Sequence, residues 1–252
     1  MARIVLDQVS LLFPILHLDH WSFKKSLLST ATGGTIMRTS HKIPTVVALD
    51  KISGHFTAGD RVGLIGANGA GKSTLLRIIA GIYEPSEGSV EVSGTILPIL
   101  DIGVGFNPNM TGRENIRMQG MYLGYRPAAM ERVAGEIEEF TELGNYLDLP
   151  VRTYSAGMQM RLSLGVATAM RPDILLMDEW LLAGDAAFLS KARERLEKFV
   201  ANASILFIAS HSESIIRQWC NKAIYLKGGK IACCGTVDEA MDAYQHDVLH
   251  QV

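Results

Sequence analysis

A glycine-rich loop between a strand-like and a helix-like segment constrains the fold of this chain more than any other feature. Residues 60–65 have the composition of a buried strand, and residues 73–80 have helical composition that ends before Gly81. The loop between them contains Gly66, Ala67, Asn68, Gly69, Ala70, Gly71, Lys72, Ser73 and Thr74. A strand, a Gly-x4-Gly-Lys-Ser loop and a helix in this order predict a phosphate-binding loop in an α/β fold.

The residue types of this loop suit a nucleoside triphosphate, which we expect to be ATP. Its glycines allow the backbone to curl so that successive N–H groups point at the β- and γ-phosphates. Lys72 adds a positive charge, and we expect it to serve both binding and catalysis. Ser73 would place its hydroxyl on Mg²⁺. An incidental glycine-rich turn would not combine these residues with the flanking strand and helix.

Two further strand-like segments end in polar residues. Residues 174–177 are apolar and lead into Asp178 and Glu179, and His211 follows the apolar segment 205–209. Open α/β sheets bind ligands at the carboxyl ends of their strands. We therefore expect Asp178 to hold Mg²⁺, and Glu179 to orient or deprotonate the attacking water. His211 suits a sensor of the γ-phosphate.

Composition excludes several other classes of protein. The chain has 252 residues, 48% of them hydrophobic, and a net charge of −2, which gives no support to nucleic-acid binding. Three cysteines form no disulfide framework or zinc pattern, so we expect free thiols. The start resembles no secretory signal, and no apolar run reaches the length of a membrane span. We expect a cytoplasmic protein whose membrane role comes through a partner.

The pattern along the chain predicts a parallel α/β core interrupted by a helical insertion at about 105–170. Thr111 and Glu114 have the spacing of a capping box. One face of an amphipathic helix is predicted for Met130, Val133, Ile137 and Phe140. Residues 191–198 alternate charges and are expected to form a solvated helix face.

The order of these features resembles the nucleotide-binding domain of an ABC transporter. The resemblance covers residues 3–245 and includes the run Tyr154-Ser155-Ala156-Gly157-Met158-Gln159, which occupies the place of the family signature, commonly Leu-Ser-Gly-Gly-Gln. It implies one domain over 1–252 with a P-loop NTPase core, an antiparallel β subdomain and a helical subdomain. It also implies a head-to-tail homodimer with two ATP molecules between the subunits. Ser155 and the backbone of Gly157 would then contact the γ-phosphate bound by the partner's loop.

Three segments are similar to the cassettes of cell-surface polysaccharide exporters. They are Thr-Gly-Arg-Glu-Asn-Ile at 111–116, Tyr-Ser-Ala-Gly-Met at 154–158 and Leu-Ala-Gly-Asp at 182–185. The resemblance implies an ATPase subunit at the cytoplasmic face of the inner membrane, bound to two copies of a separate permease. Its transported substrate would be a lipid-linked polysaccharide such as O-antigen, capsule or teichoic acid. Asp185 matches the family's D-loop aspartate, and we expect no C-terminal carbohydrate-binding domain.

This sequence departs from the family pattern at two places. No glutamine lies near Asp101 and Ile102, where most ABC cassettes carry one that contacts Mg²⁺. Asp101 is a candidate to supply that oxygen, and a plain acid at a strand end is the other interpretation. Phe13 is the candidate for the aromatic that stacks on adenine, followed by Trp21, and core packing of either ring remains open.

Residues 14–44 are longer than a compact cassette needs. Two interpretations stand for residues 20–28, an added helix near the membrane surface and a solvated loop. Two other functions also remain open for the whole chain. One is an import or drug-efflux cassette, and the other is a soluble ABC ATPase of DNA repair or translation.

Overall fold

The computed structural model describes residues 1–14, 35–38, 44–100, 105–122, 124, 126–178 and 186–249. The chain forms two compact units. The first contains Met1–Leu100, Asp173–Trp180 and Ser204–Val252. The second contains Asp101–Pro172 and Leu181–Ala203, so it takes in the segment for which the sequence predicts a helical insertion.

The strands and helices follow one another in an order that keeps all described strands in the first unit. In chain order they are β1 (Arg3–Pro14), β2 (Thr35–Arg38), β3 (Pro44–Thr57), β4 (Arg61–Ile65), α1 (Lys72–Ile79), β5 (Glu87–Ser93), β6 (Ile96–Ile99), α2 (Gly112–Tyr122), α3 (Pro127–Thr141), α4 (Ala156–Ala169), β7 (Ile174–Asp178), α5 (Ala186–Asn202), β8 (Ile205–Ala209), α6 (Glu213–Trp219), β9 (Lys222–Lys227), β10 (Lys230–Gly235) and α7 (Val237–Leu249). Two 3₁₀ helices, Gly144–Asp148 and Val151–Thr153, lie between α3 and α4.

A four-stranded antiparallel sheet in the order β2-β3-β1-β5 forms one part of the first unit. Ile4 of β1 lies opposite Phe56 of β3 and Val92 of β5, which sets apolar side chains side by side across the sheet. This is the antiparallel β subdomain that the family resemblance implies.

A six-stranded sheet in the order β10-β9-β4-β8-β7-β6 forms the other part of the first unit. Strands β9, β4, β8, β7 and β6 are parallel, and β10 is antiparallel to β9 at the edge. Strand β8 is buried along its whole length, and β7 is buried up to Asp178. Continuous apolar strands are typical of a parallel sheet covered on both faces, and the parallel core expected from the sequence is confirmed.

The apolar core of the first unit joins these two sheets. Phe56 of β3 contacts Phe207 of β8 edge to face, with ring centroids 4.8 Å apart. Leu75 and Leu76 on one face of α1 are fully buried in the same cluster. Helix α1 therefore begins at a fixed position, which matters because the phosphate loop leads directly into it.

The second unit is built around the amphipathic helix predicted from the sequence. Met130, Ile137 and Phe140 of α3 are buried, and Val133 is partly buried. The predicted capping box is also present before α2. Glu114 Oε2 accepts from the Thr111 N–H at 2.8 Å, and the Glu114 N–H donates to Thr111 Oγ1 at 3.2 Å.

Helix α5 corrects one prediction made from the charge pattern. Residues 191–198 are not a wholly solvated face, because the Arg195 guanidinium carbon lies 4.4 Å and Lys191 Nζ 5.5 Å from the centroid of the Phe140 ring. Arg195 Nε also donates to Thr168 Oγ1 at 2.7 Å, and burial lowers the pKa of this guanidinium. Long cationic side chains can cover an aromatic ring with their stems and charges, and a charge count along the sequence does not show this.

Two remaining expectations concern cysteines and membrane spans. Cys220, Cys233 and Cys234 are free thiols, as expected. Burial raises the pKa of Cys220 to about 12, so this thiol stays protonated at neutral pH. Within the described part of the chain, no helix combines the length and the apolar character needed to cross a bilayer.

Candidate nucleotide site and signature segment

The glycine-rich loop connects β4 to α1 through a left-handed residue. Gly71 has φ 108° and stands at the N-cap of α1, which begins at Lys72. A Cβ added to Gly71 would lie 2.8 Å from Leu49 Cδ2 and 2.9 Å from the Ala48 carbonyl oxygen. Any other residue here would combine an unfavourable φ with this crowding. The loop therefore runs directly against β3.

The turn between β9 and β10 supports the other side of the loop. The Gly229 N–H donates to the Ala70 carbonyl at 3.1 Å, and the Asp50 N–H donates to the Gly229 carbonyl at 2.8 Å. A Cβ at Gly66 would lie 2.4 Å from the Leu226 carbonyl oxygen. These contacts were not predicted from the sequence, although the Gly228-Gly229 pair is a turn signal.

The Lys72 side chain folds back over the loop that precedes it. Its ammonium donates to the carbonyl of Gly66 at 2.7 Å and to the carbonyl of Ala67 at 3.1 Å, and the residue is 7% exposed. These bonds hold a positive charge beside the N-terminus of α1. Charge, helix dipole and loop N–H groups together favour a bound phosphate.

The predicted polar residues of the first unit meet at the carboxyl edge of the parallel sheet. Asp178 of β7 pairs in register with Ala209 of β8, which in turn pairs with Leu64 of β4. With parallel strands about 4.8 Å apart, the backbone of Asp178 lies about 10 Å from that of Leu64, just before the loop. Asp178 is partly buried at this edge.

His211 reaches the loop directly. Its Nε2 lies 3.0 Å from Asn68 Oδ1, although the two residues are 143 positions apart in sequence. The structure thus places the predicted phosphate sensor next to the phosphate loop. Asn68 was predicted only as a loop member, and its pairing with His211 is new.

Several predicted site residues lie outside the described residues. They are Asp101, Glu179, Asp185 and Trp21, together with the segment 20–28. The roles assigned to them from the sequence stay predictions. Glu179 directly follows Asp178 in the sequence.

Phe13 lies near the end of β1 with its ring partly open to solvent. The residue is 39% exposed, and the ring packs edge to face on Tyr83 with centroids 5.6 Å apart. This geometry is compatible with both interpretations, because one edge is engaged and the rest is accessible. Tyr83 is a further aromatic that the sequence analysis did not connect with this position.

The signature segment lies in the second unit at the beginning of α4. Ser155 is the N-cap, and its Oγ accepts from the Met158 N–H at 3.2 Å. Ser155, Ala156 and Gly157 are exposed. An added Cβ at Gly157 would approach Ser155 Oγ only to 3.9 Å, so space for a ligand remains beside this backbone. An exposed helix N-terminus is an anion-binding element.

Two side chains fix the loop before α2, and neither role was predicted from the sequence. Asn115 is fully buried, donates to the carbonyls of Asn107, Met110 and Thr111, and accepts from the Asn107 N–H at 2.7 Å. Gln119 Nε2 donates to the Gly105 carbonyl at 2.6 Å. Residues 105–111 therefore have a defined backbone held by side chains of α2.

The fold and the phosphate loop define a P-loop ATPase of the ATP-binding cassette class. The sequence profile of the ABC transporter family matches residues 49–182, which is more than half of the chain. The chain therefore belongs to the ABC transporter family, as the sequence resemblance implies. It is an ATP-binding ATPase of that family.

Individual members of the family can be aligned with nearly the whole chain. The chain is 44% identical over 242 residues to the O-antigen export system ATP-binding protein RfbE of Yersinia enterocolitica, covering 96% of this chain and 99% of that protein. It is 38% identical over 230 residues to the O-antigen export system ATP-binding protein RfbB of Myxococcus xanthus, covering 91% of this chain. It spans 52% of that longer relative.

Solved structures show the same fold. One is an ATP-binding subunit of an ABC transporter, with a TM-score of 0.70, 20% identity and 98% coverage of each chain. Another is a dimeric, post-hydrolysis ATP-binding cassette bound to ADP and Pi, with a TM-score of 0.67 and 20% identity. That match covers 93% of this chain and 98% of the other.

Proposed function

We propose that this chain is the ATP-hydrolysing subunit of an exporter that moves a lipid-linked polysaccharide of the O-antigen type across the inner membrane. The 44% identity to an O-antigen export ATP-binding protein, over nearly the full length of both chains, carries this proposal. A teichoic acids export ATP-binding protein, TagH of Enterococcus faecalis, is 38% identical over 81% of this chain. These relatives favour polysaccharide export over import, drug efflux or a soluble role.

The first unit supplies the residues that would bind ATP. Loop N–H groups at 66–74 and the Lys72 ammonium would hold the β- and γ-phosphates. His211, positioned by Asn68 at 3.0 Å, would contact the γ-phosphate. Phe13 is the candidate for stacking on adenine, because its ring is partly exposed.

The residues at the sheet edge also fit Mg²⁺, which the family implies. Ser73 offers a hydroxyl at the start of α1, and Asp178 offers a partly buried carboxylate at the edge where β7 ends. Hard oxygen donors are what Mg²⁺ prefers, and it is usually held by only one or two carboxylates beside phosphate oxygens. When bound, it neutralises charge on the phosphate oxygens. Asp101 is a further candidate donor.

Hydrolysis itself needs a positioned water and a base. Glu179 would accept a proton from the water that attacks the γ-phosphorus, while the bond from that phosphorus to the β-phosphate oxygen breaks and ADP leaves. Lys72 would offset the charge that builds up on the departing oxygen. Each group acts by position and charge, as phosphoryl transfer requires.

We further propose that the active form is a head-to-tail homodimer bound to two copies of a separate permease at the cytoplasmic face of the membrane. Ser155 and the Gly157 backbone of one copy would then contact the γ-phosphate on the loop of the other. The exposure of the α4 N-terminus supports this arrangement. A cassette of the same fold is dimeric with ADP and Pi bound.

The first test replaces the proposed base. We expect Glu179→Gln to bind ATP and to lose turnover by at least about a hundredfold, since general base catalysis contributes that much. It should accumulate as a dimer in ATP, measured by sedimentation. Glu213→Gln is the matched control, because its exposed carboxylate pairs with Arg217 at 2.7 Å on α6. Normal steady-state hydrolysis by Glu179→Gln would contradict the assignment.

The same variant tests the transported substrate in cells. Deletion of the gene should cause lipid-linked glycan to build up inside the cell. The wild-type gene should restore surface polysaccharide, whereas Glu179→Gln should not. Drug sensitivity with intact surface polysaccharide would overturn the proposed substrate and favour an efflux cassette.

A further inference from the structure

Tyr154, which directly precedes the helix cap Ser155, is buried while the residues after it are exposed. Tyr154 is 6% exposed, and its backbone is extended with φ −78° and ψ 144°. Its N–H donates to the Val151 carbonyl at 3.0 Å. The backbone of the signature segment therefore passes from the buried Tyr154 to the exposed Ser155 within one residue.

The Tyr154 hydroxyl connects two other elements of the second unit. It donates to the carbonyl of Tyr146 in the first 3₁₀ helix at 2.6 Å, and it lies against the backbone of Gly112. Gly112 is the first residue of α2, so its N–H is one of the donors that a helix start leaves unpaired. Burial raises the pKa of Tyr154, and the hydroxyl therefore remains a donor at neutral pH.

Gly112 is shaped to receive this hydroxyl. A Cβ added there would lie 2.5 Å from Tyr154 Oη and 3.0 Å from Leu147 Cδ2. Backbone pairing brings the same segments together, because the Val151 N–H donates to the Met110 carbonyl at 3.0 Å and the Arg152 N–H to the Pro108 carbonyl at 2.9 Å. The start of α2 and the approach to α4 are thus joined by the backbone and by one side-chain oxygen.

We propose that the Tyr154 hydroxyl is a positioning group that ties the start of α2 to the cap of α4, and so holds Ser155 and Gly157 in the geometry that receives a second copy's ATP. The proposal rests on the shared-site dimer described above. An apolar residue at position 154 would remove the hydroxyl from the Tyr146 carbonyl and from its place beside Gly112. Loss of the hydroxyl should therefore weaken ATP-dependent dimerisation and leave nucleotide binding by the loop at 66–74 of the same chain unchanged.

The test removes only the hydroxyl. Tyr154→Phe is made in the Glu179→Gln background, and ATP-dependent dimerisation is measured by sedimentation across protein concentrations. We expect dimerisation to weaken about tenfold, the effect of one lost buried hydrogen bond. The affinity of the single chain for ADP, measured by calorimetry, should stay unchanged because the loop lies in the first unit.

A matched control separates positioning from general stability. Tyr225→Phe also removes the hydroxyl of a buried tyrosine, which donates to Asp247 Oδ2 at 2.9 Å in the first unit. It should leave dimerisation within about twofold of the parent. Gly112→Ala tests the same contact from the other side, because the added Cβ displaces the Tyr154 hydroxyl and should also weaken dimerisation. Adding Tyr154→Phe to Gly112→Ala should weaken dimerisation no further, since the contact is already lost.

The outcomes distinguish this inference from the proposed function. If Glu179→Gln dimerises with ATP and Tyr154→Phe dimerises equally well, the positioning role is overturned and the shared site stands. Equal weakening by Tyr225→Phe would also overturn it, since stability alone would then explain the effect. If the Glu179→Gln parent stays monomeric in saturating ATP, the shared site and this inference both fail.

Discussion

At the scale of single residues, Gly71 illustrates how a motif glycine is held in place by its surroundings. Its left-handed φ of 108° is a cost for any other residue, and its closeness to Ala48 adds crowding. Gly59, in the turn before β4, has a similar φ of 97°, but an added Cβ there meets no atom of the described residues within 4 Å. Substitution of Gly59 therefore tests backbone strain alone, whereas substitution of Gly71 tests strain together with crowding.

This pair yields a prediction about stability. Gly59→Ala should lower the free energy of unfolding by about 1–2 kcal/mol, the cost of a left-handed backbone for alanine. Gly71→Ala should lower it by about 2–4 kcal/mol, because overpacking against β3 is added. Urea unfolding of both variants measures the difference. Equal effects would show that β3 does not crowd this position.

The motif residues could be predicted from the sequence, but their partners could not. The loop was assigned because phosphate binding requires these residue types at a fixed spacing, whereas Asp178 and His211 were assigned from their positions after apolar strands, and these roles stay predictions. The pairing of His211 with Asn68 spans 143 positions, and the pairing of Ala70 with Gly229 depends on a distant turn. No local pattern carries such contacts. Buried Asn115 escaped notice for the same reason, since its acceptors are defined only once the loop is folded.

At the scale of elements, the turn between β3 and β4 contains a carboxylate that joins three segments. Asp60 accepts from the Thr57 N–H at 2.9 Å and pairs with Lys222 of β9 at 2.5 Å. Its side chain is 12% exposed. Burial alone would raise the pKa of Asp60, but the Lys222 ammonium and the Thr57 N–H together lower it below its usual value of 3.8.

The direction of this shift sets a pH dependence. Because the pKa of Asp60 is lower in the folded chain, its contribution is fully present above the unfolded pKa and is lost as the pH falls through the folded pKa. Asp60→Asn should therefore lower the free energy of unfolding by about 1–2 kcal/mol at pH 7. The difference from wild type should shrink as the pH falls below 3.8.

Urea unfolding at several pH values checks this prediction. Asp242→Asn serves as the control, because it removes an exposed carboxylate on α7. A difference between wild type and Asp60→Asn that stays constant down to acid pH would show that the carboxylate charge plays no part.

The central strands of the six-stranded sheet were the easiest elements to predict from the sequence, and its edge strands were the hardest. Apolar runs identified β4, β7 and β8, because strands buried on both faces leave a clear pattern. Strand β6 has only four residues and includes Pro98, and β10 is half exposed at the sheet edge, so neither has such a pattern. The prediction of a solvated face at 191–198 was wrong because Lys191 and Arg195 cover the Phe140 ring with their stems and charges.

At the scale of the whole molecule, the proposed dimer divides each ATP site between two copies. One copy would contribute the loop with Lys72, and the other would contribute Ser155. In a symmetric head-to-tail pair the two sites are equivalent, so each copy supplies one half of each site. A defect in either half should abolish both sites of a pure variant.

Mixing two inactive variants tests this division. Lys72→Ala and Ser155→Arg should each hydrolyse ATP very slowly alone. Mixed pairs contain one site with both defects and one intact site, so an equal mixture should regain about a quarter of the wild-type rate. Steady-state hydrolysis against mixing ratio measures the recovery. No recovery at any ratio, with both variants folded, would indicate that each copy holds a complete site.

The order of strands in the six-stranded sheet also governs when the nucleotide site can form during synthesis. Strand β4 precedes the phosphate loop, yet both of its neighbours, β8 and β9, lie near the end of the chain. The loop also contacts Leu226 and Gly229. A nascent chain that has emerged only to residue 200 therefore carries the whole loop and β3, but neither neighbour of β4 in the sheet and neither Leu226 nor Gly229. We therefore expect ATP to stabilise the nascent chain only after residues up to about 229 have emerged, so chains truncated before β8 would gain no stability from the nucleotide.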